Sequence, residues 1–380
     1  MDLQECRAKI DEIDRELVRL FADRMNIVLD VAAYKKANGL PILDAARERA
    51  LLSKVASLSG EELETYTRVL FSTIMSLSRS YQARQLIPET ELSARLTAAV
   101  EETPRLFPEK AVVACQGVEG AYSQVACEKL FAAPEIVFVN SFDAVFKAVD
   151  AGLCRYGILP LENNTAGSVN QVYELMSKYS FRIVRAARVR VSHCLLALPG
   201  ATLDGIREVY SHEQAIGQCS RFFAEHNNLK AVPYANTAAA AKAVADSGRR
   251  DIAALASDNC AALYGLRALS SDMQDSGGNY TRFICISKKL EVYPGADKTS
   301  VRLTLPNRPG SLYAALARVA ALGINIIKLE SRPIPGRDFA FQFFLDFDAS
   351  VYSPALLTLL KELEAECETF EYLGSYTEII

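Results

Sequence analysis

The sequence predicts a multidomain chain in three parts. These are an all-α N-terminal block, a two-lobed α/β middle block and a ferredoxin-like βαββαβ C-terminal block. Three observations predict it. Before Pro88 the chain carries apolar residues at helical spacing, one glycine between Met1 and Ser59 (Gly39) and one proline (Pro41). From residue 111 onward short apolar strands alternate with helices, and the pattern resets near Cys194. From residue 299 the order becomes strand, helix, strand, strand, helix, strand. The length of 380 residues agrees with two or three domains. The expected boundaries are 1–90, a linker over 91–110, then 111–290 and 298–380.

In the first block Ile10, Ile13, Leu17, Leu20, Phe21, Ile27, Val28 and Val31 lie on a long helix, stopped by Gly39-Leu40-Pro41. Asp44 is placed to cap a second helix carrying Leu51, Leu52 and Val55. A third helix is expected from Gly60-Glu61-Glu62 to Gln85. A helix of 30 or more residues has no core of its own, so a homo-oligomer is expected, at least a dimer. Pro88, Pro104 and Pro108 then bracket a charged amphipathic linker.

In the middle block the expected strands are 111–115, 136–139 and 156–160, with helices over 123–130 and 142–151. After the reset come strand 194–198, strand 207–210, helix 213–225, helix 237–246, strand 252–255 and a last strand over 283–286. Such alternation predicts parallel pairing, and two lobes predict a ligand cleft between them. In the third block the strands are 300–305, 324–329, 339–347 and 370–376, with helices over 310–322 and 354–366.

Composition excludes several functions. The chain has 42 Lys and Arg against 46 Asp and Glu, a net charge of −4, which does not suit general nucleic-acid binding. No apolar run approaches the roughly 20 residues that span a bilayer. The N-terminus lacks a basic and then apolar leader. Nine scattered cysteines, none in a C-x-x-C pair, read as free thiols in a reducing cytoplasm. Only three histidines leave little material for a His-based metal site, and no cofactor is expected for the chemistry that the resemblances below imply.

Arg7, Arg24, Lys35 and Arg47 stand out on the first block. Arg24 and Lys35, 11 residues apart, share nearly one helix face about 16 Å apart, whereas Arg7 and Arg24 are about 25 Å apart and point differently. If both touch one small ligand, Arg7 comes from a second chain. The set Arg7-x-x-Ile10-x-x-x-Asp14, Arg24, Lys35, Pro41-Ile42-Leu43-Asp44-x-x-Arg47-Glu48-Arg49, Phe71, Ser78 and Gln82 resembles the all-helical class of chorismate mutase. The resemblance implies that Arg7, Arg24 and Arg47 grip the carboxylates of chorismate. Lys35 and Gln82 would bond its ether oxygen, and Asp44 and Glu48 its hydroxyl, with Ser78 alongside. A Claisen rearrangement needs a folded dianion and positive charge at the ether oxygen, not a nucleophile.

In the middle block Gly117–Ser123, Leu159–Asn164, Ser211-His212-Glu213-Gln214 with Gln218, and Asn279–Phe283 sit at strand ends. Each of the three histidines reads as a structural hydrogen bonder. Together, the clusters over 111–290 resemble prephenate dehydratase, whose fold is the two-lobed, periplasmic-binding-protein-like one. The sequence departs from that family at Ala121-Tyr122, Asn164 and Glu213. The resemblance implies Thr281 at the leaving hydroxyl of prephenate, with Asn163, Ser211 and Gln218 orienting it and Ser123 and Phe283 in contact. Arg282 is either a carboxylate anchor or a salt bridge that fixes the loop. Glu162 is the general-acid candidate.

In the last block Asn307-Arg308-Pro309-Gly310-Ser311-Leu312-Tyr313 enters a helix, and Leu329-Glu330-Ser331-Arg332-Pro333 ends a strand. Together they resemble an ACT domain. The form seen in prephenate dehydratases implies an allosteric L-phenylalanine site at Gly310, Ser311, Leu312, Glu330, Ser331 and Arg332. The three resemblances describe the bifunctional chorismate mutase/prephenate dehydratase family, or P-proteins. Two rivals stand beside it: a non-catalytic sensor of an anion and an amino acid, and a dehydratase whose helical block only dimerises.

Overall fold

The structure, a computed structural model, describes residues 2–380 except 87–89, 276, 335, 338 and 339, and no side chain of 83–86. Pro88 and Phe339 of the sequence reading therefore lie outside the described residues. The chain forms two compact units, Met1–Ala98 with Thr299–Tyr372, and Ala99–Lys298 with Leu373–Ile380.

The first unit opens with α1 (Leu3–Ala37), α2 (Ala45–Ser59) and α3 (Glu64–Leu86). A reciprocal capping box of Asp2 and Glu5 starts α1. Asp44 caps α2, its Oδ1 accepting from the Arg47 amide at 2.9 Å. The third helix begins four residues later than expected, because 61–63 form a turn. Along α1 only Val28 and Ala32 are buried, and Leu17 and Val18 are 54% and 69% exposed.

The expected linker holds a helix, α4 (Glu91–Glu102). Leu92, Leu96 and Ala99 recur at helical spacing and are buried, which stabilises it despite the charged composition.

The second unit has two lobes. The first contains β1 (Val112–Gln116), α5 (Tyr122–Leu130), β2 (Glu135–Val139), α6 (Phe142–Asp150), β3 (Tyr156–Asn163), β4 (Gly167–Ser168), α7 (Asn170–Lys178) and β5 (Arg182–Arg190). The second contains β6 (Cys194–Ala197), β7 (Glu208–Ser211), α8 (Glu213–Gln218), α9 (Ser220–Glu225), β8 (Lys230–Pro233), α10 (Thr237–Ser247), β9 (Ile252–Ala256), α11 (Asn259–Tyr264) and β10 (Arg267–Ser270). Then β11 (Tyr280–Ser287) returns to the first lobe.

Parallel pairing holds for β1 with β2 and β3, and for β7 with β8 and β9. It fails where the chain changes lobe. β11 runs antiparallel between β3 and β5, and β6 antiparallel between β9 and β10. The expected helix 213–225 is two helices, broken at Cys219. There the Asp275 amide takes the Gln218 carbonyl at 2.7 Å, and the Asp275 carboxylate accepts from the amides of Ser220 and Arg221. Val113, Cys115, Phe131, Tyr156 and Ile158 anchor the core of the first lobe; Leu195, Val209, Phe222 and Leu255 anchor the second.

The remainder is β12 (Lys298–Thr304), α12 (Ser311–Ala321), β13 (Asn325–Pro333), β14 (Phe341–Asp348), α13 (Pro354–Glu366) and β15 (Thr369–Tyr376), in the βαββαβ order. Its sheet order is β13-β14-β12-β15, leaving β13 at an edge. From Leu373 the chain belongs to the second unit. A Cβ on Gly374 would lie 2.1 Å from the Ile183 carbonyl oxygen, so only glycine fits this approach to β5. A last strand, β16 (Glu378–Ile379), pairs with β5.

Candidate functional site

On the helices of the first unit, Arg24 of α1 donates to Ser78 Oγ of α3, which donates to the Ile74 carbonyl at 2.7 Å. Burial pushes the Arg24 guanidinium pKa down, but it stays charged. Gln82, one turn beyond Ser78, is buried and its amide oxygen has no partner. Lys35 Nζ donates to the Ile42 carbonyl at 2.5 Å, tying α1 to the loop before Asp44. Glu48 pairs with Arg79, a residue the sequence reading passed over. Arg7 and Arg47 are exposed. Arg24, Ser78 and Gln82 thus share one interhelical face, and Arg7 lies about 25 Å from Arg24 along the unbroken α1.

In the second unit a cavity of about 300 Å³ lies between the two lobes. Among its lining residues are Ser123, Asn163, Gln218, Thr281 and Phe283. In register opposite one another on β3 and β11, Asn163 and Thr281 meet: Asn163 Nδ2 donates to Thr281 Oγ1 at 2.9 Å and to Asn279 Oδ1 at 2.6 Å. The amides of Thr165 and Ala166 donate to Asn163 Oδ1 at 3.0 and 2.8 Å. Ser123 Oγ donates to the Gln116 carbonyl at 2.6 Å.

Three of the expected site residues lie away from this cavity. Successive residues of a strand face opposite ways, so Glu162 and Arg282 point away from the side that carries Asn163 and Thr281. They line a separate pocket with Asn164, Arg188 and Tyr280. Arg282 Nη1 donates to Glu162 Oε1 at 3.1 Å and Nη2 to the Tyr376 hydroxyl at 2.5 Å, and Nε lies 3.6 Å from Glu378 Oε1. Of its two readings, the structural ion pair matches this placement. Ser211 is fully buried, with its hydroxyl on the Leu255 carbonyl at 2.7 Å, and does not line the cavity.

Among the described residues the lining holds no Asp, Glu, Lys or Arg. Instead Tyr122 and Ser123, Phe142, and Asn236 and Thr237 bring the N-terminal ends of α5, α6 and α10 to it. Such ends carry partial positive charge. The sequence reading makes His193 a structural hydrogen bonder and does not place it at the site; it is a buried lining residue whose Nε2 is 3.0 Å from Gln218 Oε1. Burial pushes its pKa below the usual histidine range, so it is neutral near pH 7. Only its partners, not its sequence neighbours, mark it.

A further cavity of about 430 Å³ lies within the first unit. Gly310 and Ser311 line it with Glu48, Ser76 and Arg79 of the helices. Gly310 has φ +84° and precedes α12 without a side-chain cap, and Ser311 Oγ is buried without a partner. Leu312, Glu330, Ser331 and Arg332 are not among its lining residues. Glu330 and Arg332 form a 3.0 Å ion pair on β13. Among the described residues no group of three or more His, Cys, Asp or Glu could hold a metal, and no helix is long and apolar enough to cross a membrane.

A two-lobed α/β cleft lined by neutral donors, joined in one chain to helices that gather a half-buried Arg24 and a buried Gln82 on one face, defines a small-molecule enzyme with two sites. The comparisons supply the family. The type II chorismate mutase family model matches residues 6–83, and the prephenate dehydratase model residues 113–291. The bifunctional chorismate mutase/prephenate dehydratase of Escherichia coli (strain K12) is 30% identical over 384 residues, covering 98% of this chain and 96% of the relative. Arogenate dehydratase/prephenate dehydratase 2 of Arabidopsis thaliana is 35% identical, covering 80% and 81%. Among solved structures, the prephenate dehydratase of Arthrobacter aurescens in complex with L-Phe is 29% identical with a TM-score of 0.64, covering 70% and 89%. GqqA, described as a novel type of quorum-quenching acylase, is 34% identical with the same TM-score, covering 70% and 97%. The chain belongs to the bifunctional chorismate mutase/prephenate dehydratase family. It is an enzyme with a chorismate mutase domain and a prephenate dehydratase domain.

Proposed function

We propose that the chain converts chorismate to prephenate on its helices and prephenate to phenylpyruvate between its lobes, under feedback by L-phenylalanine. Arg24 and Arg47, with Arg7 of a second copy, hold the chorismate carboxylates. Lys35 and Gln82 hydrogen-bond the ether oxygen as charge develops on it, and Asp44, Glu48 and Ser78 sit about the hydroxyl. The exposed apolar residues of α1 support an intertwined homo-oligomer.

For the dehydratase the carrying observation is the uncharged cleft with three helix N-termini. A dianion is met there by backbone N–H groups and neutral donors rather than by Arg282. The bond from the ring to its carboxylate breaks, carbon dioxide leaves, and the electron pair moves into the ring and expels hydroxide. Because Thr281 Oγ1 already accepts from Asn163, its own O–H is free to donate to that departing oxygen. No cofactor or metal takes part in this reading.

The last block acts as an ACT domain taking L-phenylalanine, with its carboxylate at the start of α12 beside Gly310 and Ser311. The L-Phe complex of the Arthrobacter aurescens dehydratase supports such a ligand. Leu312 and the Glu330-Ser331-Arg332 edge strand would contribute from a second copy. Free cysteines, seven of nine buried, support a reducing cytoplasm.

Acyl transfer, the activity in the description of GqqA, finds less support. The hydrogen bonds of His193, His212 and His226 go to Gln218, the Gln214 amide and the Phe222 carbonyl, so none activates a hydroxyl or thiol. The test is incubation with chorismate in chelated, cofactor-free buffer. Phenylpyruvate that appears, and falls when L-phenylalanine is added, supports the proposal. Chorismate left unchanged, or prephenate left unconverted, overturns the corresponding half.

A further inference from the structure

We infer that His193, together with Asn279, is a positioning residue of the dehydratase: it fixes which atoms Gln218 and Thr281 offer to the substrate. The inference rests on the dehydratase reading above. It is carried by a continuous chain of hydrogen bonds across the two lobes.

His193 lies where the chain first crosses from β5 to β6, and Asn279 where it crosses back before β11. Both are buried, at 2% exposure each. In a neutral His193 the Nε2–H donates to Gln218 Oε1 at 3.0 Å, and Asn279 Nδ2 donates to the same oxygen at 2.9 Å. A carboxamide has one acceptor and one donor end. With both bonds falling on its oxygen, the Gln218 amide is oriented so that its Nε2–H₂ end remains for the cavity it lines.

The chain continues on the other side. Asn279 Oδ1 accepts from Asn163 Nδ2 at 2.6 Å, and Asn163 Nδ2 also donates to Thr281 Oγ1 at 2.9 Å. Asn163 cannot turn its amide round, because its own oxygen is held by the Thr165 and Ala166 amides. The links therefore run outward from the Asn163 amide, one way through Asn279 to Gln218 and the other way to Thr281. The two free ends are the Gln218 amide and the Thr281 hydroxyl, both left as donors toward the cleft.

A cleft for a dianion that loses hydroxide needs donors at those places. Remove the imidazole and the Gln218 amide loses one of the two bonds that hold its oxygen inward. Held by Asn279 alone, it presents oxygen to an anion for part of the time. The Nδ1 atom of His193 is buried without a partner, so among the described residues the Nε2–H makes the ring's hydrogen bond.

The test is a double-mutant cycle on the full chain with prephenate as substrate. His193→Ala is expected to lower kcat/KM about tenfold, the scale of one hydrogen bond of about 1.4 kcal/mol. His193→Gln, which returns an N–H near the Nε2 position, is expected to recover most of that loss. In a Gln218→Ala background the same His193→Ala change should cost less than about twofold, because the residue it acts through is gone. A loss of equal size in both backgrounds overturns the inference, as does failure of His193→Gln to restore activity although its melting temperature is native. If His193→Ala does not fold, the His193→Gln and Gln218→Ala arms still decide it: a His193→Gln loss as large with Gln218 as without it rejects the coupling. Absence of prephenate turnover in the native enzyme overturns the dehydratase reading and this inference with it. An additive cycle on an active native enzyme overturns the inference alone.

Discussion

Replacing Arg282 with alanine separates the two readings of this residue. Its side chain is 8% exposed and bridges Glu162 on β3, the Tyr376 hydroxyl and the nearly buried Glu378 of β16. Removing one partner of a buried ion pair costs about 3–5 kcal/mol, because the remaining charge stays desolvated. Arg188 still pairs with Glu378 at 3.1 Å, and Glu162 is 31% exposed, so both anions keep some compensation and the lower end, about 3 kcal/mol, is expected. In a unit of this size each kcal/mol moves the melting temperature by about 2–4 °C, so the shift is about 6–12 °C. The assay is scanning calorimetry of the full chain, with steady-state turnover of prephenate well below the transition. A lowered transition and a fall in kcat are expected, with KM changed little. An unaltered transition together with a KM raised a hundredfold would refute it and make Arg282 the carboxylate anchor.

Four further outcomes are expected. Lys35→Ala should lower mutase turnover by about 10²–10³, the scale of one lost electrostatic contact in a transition state, while sedimentation shows the native assembly. Thr281→Ala should lower dehydratase turnover by about 10²–10⁴ and leave chorismate rearrangement unchanged, read by following both products in one incubation. Gly310→Ala should weaken inhibition by L-phenylalanine in a titration, because φ +84° strains any residue with a Cβ and disturbs the start of α12. Burial lowers the folded-state pKa of His193, so between that value and the unfolded value near 6.5 the unfolded chain binds the extra proton. Stability of the second unit should therefore fall as pH drops below about 6.5, and His193→Gln should flatten that slope in urea titrations at several pH values.

Much of this protein was legible in the linear sequence because local physics sets it. Asp44 could be read as a cap, and its side chain does cap α2. The βαββαβ order of the last block followed from the spacing of apolar runs, and the reset near Cys194 marked the second lobe. Where charge masked the pattern, elements were missed. β5 carries arginines at 182, 185, 188 and 190, yet Arg185 lays its guanidinium over the Phe107 ring at 4.1 Å, and the strand sits inside a sheet. α4 hid in the same way among the charges of the linker.

The period of a strand alone determines that Thr281 and Arg282 face opposite sides. Which of them faces the cleft is decided only when β11 is laid between β3 and β5 and the second lobe closes over one face. The partners of Arg282 are no more local: Tyr376 and Glu378 arrive from a segment more than ninety positions away, past a glycine that alone fits against Ile183. The chain of bonds from His193 to Thr281 joins two interlobe crossings and a strand end. Sequence specifies the donor and acceptor each side chain carries. Only the tertiary fold sets which acceptor lies within 3 Å of which donor, because hydrogen bonds are short and directional while the residues that make them are far apart in the chain.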